Sequence, residues 1–184
     1  MNYEYDSASG LIRGAEFRPS PNCDDRPAQM QPEVLVIHAI SLPPGEFGGS
    51  AIDQLFTNCL DPGEHSYFQE ISGLEVSAHL LIRRTGELIQ YVPLARRAWH
   101  AGISACEGRE RVNDFSIGIE LEGSEEHEFE AVQYDVLVEV TKLLMKEFPA
   151  IRSNRIYGHS EISPGRKTDP GPFFDWTGYR GRIA

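Results

Sequence analysis

Three side chains far apart in the chain carry donor atoms of the kind that hold a divalent cation: His38, His159 and Asp169. Two neutral imidazoles and one carboxylate make the ligand set of a catalytic zinc site whose fourth position stays open for water. His38 follows the apolar run Val34-Leu35-Val36-Ile37, where an imidazole must find partners for both ring nitrogens or carry a desolvation cost. His159 and Asp169 share the stretch GHSEISPGRKTDPGPFFDW, which Pro164, Pro170 and Pro172 stiffen. Rigid backbone suits a carboxylate held at a set distance from its partners. No HExxH signature is present, and ligands drawn from separate segments leave no local motif. His65, His79, His100 and His127 are equally available by composition, so the residues alone yield a shortlist of donors.

Two further groups could work beside such a centre. Glu120 ends the mostly apolar run Phe115 to Ile119. A buried carboxyl there would have its pKa raised towards neutrality, which suits a general base that takes a proton from water and returns it to a leaving amine. Strand alternation equally allows Glu120 to face solvent, and Glu122 shares its parity. Lys167, two residues before Asp169, could set an ammonium against an oxyanion, or simply be surface charge.

The elements that would position these groups follow from periodicity. Val34 to Ile37 reads as a buried central strand with His38 at or near its end. Ala51 to Leu60 reads as a short helix with Ser50 as N-cap, after the Pro- and Gly-bearing loop SLPPGEFGGS. Val76 to Arg83 and Glu87 to Val92 read as strands joined at a Thr85-Gly86 turn, and Phe115 to Leu121 as another strand. Val132, Val136, Val140, Leu143, Leu144 and Phe148 recur at helical spacing, predicting a helix over Ala131 to Phe148 that Pro149 stops. Ile151 to Tyr157 is expected to be a last short strand. Residues 1–32, polar, proline-bearing and aperiodic, are expected to wrap the surface of a single domain spanning 33–184. The fold class expected is α/β (α+β), a mixed central β-sheet flanked by helices.

Composition bounds the partners. The chain has 184 residues, 40 % hydrophobic, and a formal net charge of −11, which disfavours nucleic acid as a ligand. No apolar run is long enough to span a bilayer, and MNYEYDSASG lacks the basic start and apolar stretch of a secretory signal. Cys23, Cys59 and Cys106 are odd in number and widely spaced, as expected of reduced thiols in the cytoplasm. Clustered arginines, among them Arg96, Arg97, Arg109 and Arg111, could still hold a compact anionic ligand.

Four strings in order, VIHAISLPPGEFGG, VSAHLLIRRTGELIQYVPLARRAWHAG, GRERVNDFSIGIELEG and GHSEISPGRKTDPGPFFDW, closely resemble the cytoplasmic N-acetylmuramoyl-L-alanine amidases of AmpD type. These belong to a wider zinc amidase family that includes phage lysozyme-type amidases and peptidoglycan recognition proteins. The resemblance implies one zinc ion held by His38, His159 and Asp169, with Glu120 as acid/base and Lys167 stabilising the transition state. It also implies that Tyr67, Trp99 and Arg111 lie near the substrate. The reaction implied is hydrolysis of the amide between the lactyl group of (1,6-anhydro-)N-acetylmuramic acid and L-alanine, in cytoplasmic peptidoglycan recycling. Alternatives within the resemblance are an amidase acting on intact wall and a non-catalytic muropeptide-binding module. A monomer acting on a small muropeptide, with no membrane partner, is expected. Two departures stand out: Ala39 where relatives usually carry asparagine, and Glu75 where arginine is common. Both are expected to shift recognition and to leave catalysis intact.

Overall fold

The computed structural model describes residues 3–184. A six-stranded mixed sheet forms its centre, in the spatial order Ile156–Gly158, Val34–Ile40, Ser116–Glu122, Leu80–Ile82, Leu88–Gln90, Glu16–Phe17. The two longest strands, Val34–Ile40 and Ser116–Glu122, run parallel at the middle, with His38 directly opposite Glu120. Leu80–Ile82 and Leu88–Gln90 pair antiparallel across the expected turn, where Gly86 takes a φ of +83° that an L side chain rarely adopts.

Alternation along the two central strands decides which residues reach the site. Leu35, Ile37, Ile117, Ile119 and Leu121 point to one face, where they join the helix Ala131–Glu147 through Val136, Leu137, Val140 and Leu144 in one fully buried core. Each such aliphatic side chain contributes roughly 1.5–3 kcal/mol on burial. That helix starts from a reciprocal cap between Glu130 and Gln133 and stops before Pro149, close to the predicted span. The opposite face carries Val34, Val36, His38, Ser116, Gly118, Glu120 and Glu122. Its lower half packs on Ala101, Cys106, Val112, Phe115 and Ile162, and its upper half opens into the site.

Several expected boundaries shift for local reasons. The helix after the Pro-Gly loop spans Ala51–Phe56 rather than running to Leu60, because Thr57 Oγ1 turns back onto the Asp53 carbonyl and Asn58 enters the left-handed region. Ser50 makes no side-chain cap bond. The last strand, Ile156–Gly158, is shorter than Ile151 to Tyr157 because Ser153–Arg155 forms a 3-10 turn first. Three short helices, Ser66–Glu70, His159–Ile162 and Trp176–Ile183, carry too few periodic residues to be read in advance. The first 32 residues supply the sheet's edge strand, Glu16–Phe17, and bury Ile12 in the main core. Arg26, from the same segment, donates to the carbonyls of Asn113, Asp114 and Ser116 at 2.8–3.1 Å, stitching it to the start of the Glu120 strand.

Candidate active site

The parallel pairing of Ile156–Gly158 with Val34–Ile40 brings His159, the next residue after the strand, beside His38. The stretch after it folds back on itself. Ser160 N donates to the Asp169 carbonyl at 2.9 Å, and Ser163 N donates to the His159 carbonyl at 3.0 Å. Asp169 is thereby returned to the His159 turn. The three donor residues meet: Nδ1 of His38, Nδ1 of His159 and Oδ2 of Asp169 lie 3.0, 3.1 and 3.1 Å apart.

Both histidines are buried, and each keeps its second nitrogen occupied from behind. Nε2 of His159 lies 3.3 Å from the Ala101 carbonyl, and Nε2 of His38 lies 2.9 Å from Nδ1 of His100. A carbonyl only accepts, so the Ala101 contact favours the tautomer with its proton on Nε2 and a bare Nδ1 towards Asp169, while Arg166 Nη2 lies 3.4 Å from the same Nε2. Asp169 stays ionised. Burial alone would raise its carboxyl, but the adjacent imidazoles outweigh that and hold it well below the usual carboxylate range. Burial likewise pushes His38 below the ordinary imidazole value, so the neutral ring is favoured. Lone pairs converging at about 3 Å repel one another unless a proton or a metal cation lies among them, and the donor chemistry of this cluster fits a divalent metal. Among the described residues, no other cluster of three or more such donors is present.

Glu120 stands beside His38 on the next strand, its Oε2 buried and without a hydrogen-bond partner. Burial, then the charge of Asp169, push its carboxyl well above the usual range, with Lys167 opposing. Glu122, equal in parity, has a different fate. It is 3 % exposed and accepts from Arg83 Nη1 at 3.0 Å, Gly48 N at 2.6 Å and Arg84 N at 3.1 Å.

A cleft of about 700 Å³ opens over the cluster. Its floor includes His38, His159, Asp169 and Glu120. Apolar and aromatic lining comes from Tyr67, Ile71, Leu74 and Trp99, and polar lining from Glu125, Arg166, Lys167 and Thr168. Ala39 lies in the lining. Glu75 is exposed and does not line it, and neither does Arg111, which is also exposed and pairs through Nε with Asp114 Oδ2 at 3.1 Å. The remaining histidines have other work. His65 caps the Ser66–Glu70 helix by accepting from Tyr67 N, His127 bonds Ser124 on the surface, and His79 accepts from Gly118 N at 3.0 Å.

Sequence reasoning left His100, Asn113 and Arg166 out of the site. His100 and Ala101 are held by Asn113 Oδ1, which accepts from both of their backbone N–H groups at 3.2 and 2.8 Å. Arg166 Nη2 donates to the Ala101 and Ile103 carbonyls at 2.7 and 2.9 Å. One signal was available: Gly118 interrupts an otherwise apolar strand, the mark of a close approach. A Cβ there would fall 2.5 Å from Cγ of His100.

Known proteins resemble this chain in sequence and in fold. A family model described as N-acetylmuramoyl-L-alanine amidase matches residues 28–172. A 1,6-anhydro-N-acetylmuramyl-L-alanine amidase AmpD of Salmonella typhimurium is 57% identical over 175 residues, covering 95% of this chain and 93% of that protein. A crystal structure of a selenomethionine AmpD derivative superposes with a TM-score of 0.94 at 53% identity, covering 98% of this chain and 99% of that one. The amidase AmiD from E. coli, solved with anhydro-N-acetylmuramic acid-L-Ala-D-gamma-Glu-L-Lys as substrate, superposes with a TM-score of 0.59 at 30% identity. That match covers 85% of this chain and 60% of AmiD.

Proposed function

The chain belongs to the N-acetylmuramoyl-L-alanine amidase family, and we propose that it hydrolyses the amide between the lactyl group of 1,6-anhydro-N-acetylmuramic acid and the L-alanine of the stem peptide, using one zinc ion. The observation that carries this reading is the convergence of two imidazole Nδ1 atoms and one ionised carboxylate on the floor of a cleft, beside a carboxyl with an unpartnered buried oxygen. His38, His159 and Asp169 would hold the metal. When bound, zinc supplies a Lewis acid for the scissile carbonyl and lowers the pKa of water in the site to about 7.

The chain's own groups account for the remaining chemistry. Glu120 accepts a proton from the attacking water as the new C–O bond forms. A raised carboxyl suits it to hold that proton and to deliver it to the alanine nitrogen as the C–N bond breaks, leaving a lactyl carboxylate and a free amine. Lys167, which lines the cleft, offers an ammonium to the oxyanion that develops between these steps. Tyr67 and Trp99 give the sugar an aromatic wall, where an apolar ring face and a polar edge are both useful. For the stem-peptide carboxylates, Lys167 and Arg166 are the cations that line the cleft, in place of Arg111.

Recycling of soluble muropeptides is the setting that this substrate implies. We place the chain in the cytoplasm, a reading supported by three cysteines that are all free; no helix among the described residues is long and apolar enough to cross a membrane. The test is release of alanine-peptide from anhydro-muropeptide and from whole sacculi, side by side, with zinc content measured on the same protein. Turnover of the soluble substrate alone supports the reading. Preference for sacculi makes the chain a wall amidase, and zinc-free activity removes the metal from the mechanism.

A further inference from the structure

A chain of three side chains runs away from the proposed metal position into the protein: His38, His100, Ser116. Nε2 of His38 is 2.9 Å from Nδ1 of His100, and Nε2 of His100 is 3.0 Å from Oγ of Ser116. The rings of His38 and His100 meet edge to face, with centroids 5.0 Å apart. Ser116 is fully buried at the start of the strand that carries Glu120, so this chain ends on the same strand that bears the proposed base.

The direction of these bonds decides whether His38 can bind a cation. A neutral imidazole has one proton. If it sits on Nδ1, the nitrogen facing His159 and Asp169 is blocked. If it sits on Nε2, Nδ1 offers a lone pair. The second arrangement needs an acceptor behind His38, and Nδ1 of His100 is that acceptor only when the His100 proton sits on Nε2, where Ser116 Oγ receives it. We propose that His100, backed by Ser116, is a positioning residue that fixes His38 in its metal-binding tautomer, as the Ala101 carbonyl does for His159. Adjacent residues thus brace both ligand rings, and Asn113 holds the two together through their backbone N–H groups.

The space for this brace is built into the strand. Gly118 is the residue that lets the His100 ring lie against the sheet, since any Cβ would overlap it. His79 and His100 lie edge to face at 5.7 Å, and Gly118 N donates to His79, so the ring packs against a neighbour that is itself fixed. Partners of ligating histidines generally matter by 10–100-fold in metal affinity, on the order of a ligand's own tuning.

The proposal rests on the metal reading above, and its test separates the two. Cobalt(II) affinity is measured by chelator competition for the wild type, His100→Phe, His100→Gln and Ser116→Ala, alongside urea unfolding of the metal-free proteins. The expected result is a roughly 10–100-fold loss for His100→Phe, substantial recovery in His100→Gln, whose amide can accept and donate in the same directions, and about threefold or greater loss for Ser116→Ala. Long-range ¹H–¹⁵N spectra of the zinc-loaded wild type should show both His38 and His100 protonated at Nε2. Wild-type affinity in His100→Phe and Ser116→Ala, or a His100 ring protonated at Nδ1, would overturn the brace while leaving the metal site standing. Equal losses in His100→Phe and His100→Gln that track lost folding stability would also overturn it. A wild-type chain that binds no cobalt would sink both.

Discussion

Glu120 and Glu122, two positions apart on one strand and on the same face, have opposite electrostatic surroundings. Glu122 is sealed by Arg83 and two backbone N–H donors, whereas Glu120, directly opposite His38, leaves a buried oxygen without a partner. A satisfied carboxylate holds structure together, and an unsatisfied one is available for chemistry. Replacing Glu120 by alanine is therefore expected to cut kcat by about 10²–10⁴-fold with zinc content and folding stability nearly unchanged. Replacing Glu122 by alanine leaves Arg83 buried with one partner fewer and should cost about 3–5 kcal/mol of stability in urea unfolding. If the two variants exchanged these phenotypes, the assignment of base and brace would be reversed.

Asp169 is the charged member of the donor cluster and should be the hardest to replace. Asp169→Ala is expected to lose zinc as well as turnover, checked by metal analysis after gel filtration. Chelation of the wild type should abolish activity, and added zinc should restore it. Full zinc retention by Asp169→Ala would remove that residue from the ligand set.

Lys167 is exposed and lines the cleft, and the role proposed for it is to meet charge that develops only during reaction. Lys167→Ala should lower kcat by about 10²-fold, the effect of one oxyanion donor, while KM changes little. A raised KM at constant kcat would make Lys167 a substrate-binding residue instead.

Ala39 lines the cleft next to His38 and offers no hydrogen bond from its side chain. Ala39→Asn is expected to lower KM for the anhydro-muropeptide severalfold with kcat unchanged, about 1 kcal/mol for one added hydrogen bond. Steady-state kinetics on the two proteins decide it; an unchanged KM would show that substrate passes this position without polar contact.

His79 gives a pH signature separate from catalysis. Burial, then the charge of Arg26, push its pKa down to about 3 against an unfolded value of about 6.5. Between those values the unfolded chain binds a proton that the folded chain excludes, so stability present above pH 6.5 is lost as pH falls towards 3. One such proton contributes at most about 1.4 kcal/mol per pH unit to the slope. Urea unfolding of metal-free protein from pH 4 to pH 7 should show a shallower slope for His79→Gln, which can still accept from Gly118 N and donate to the Arg96 carbonyl. Parallel curves for the two proteins would exclude His79 as the source.

The elements themselves were legible because burial acts over a few residues at a time. The Val34 run, the FSIGIEL strand and the Ala131 helix each announce a buried face through their own periodicity, and each forms close to where it was read. The four strings that resemble the amidase family carry His38, Trp99, Glu120, His159, Lys167 and Asp169 in order, and the cleft contains all of them. What the residues alone left open was which of two same-parity glutamates is free, and which of six histidines face a common point. Those answers depend on strand order. Only when Ile156–Gly158 and Ser116–Glu122 flank Val34–Ile40 on either side do His159 and Glu120 arrive beside His38, and only the tertiary placement of Arg83, Gly48 and Arg84 closes off Glu122. Arg111 marks the same boundary, since its charge was visible in the chain but its direction was set by Asp114. Local pattern encodes what a segment buries; the distances between segments come from how the whole sheet is assembled.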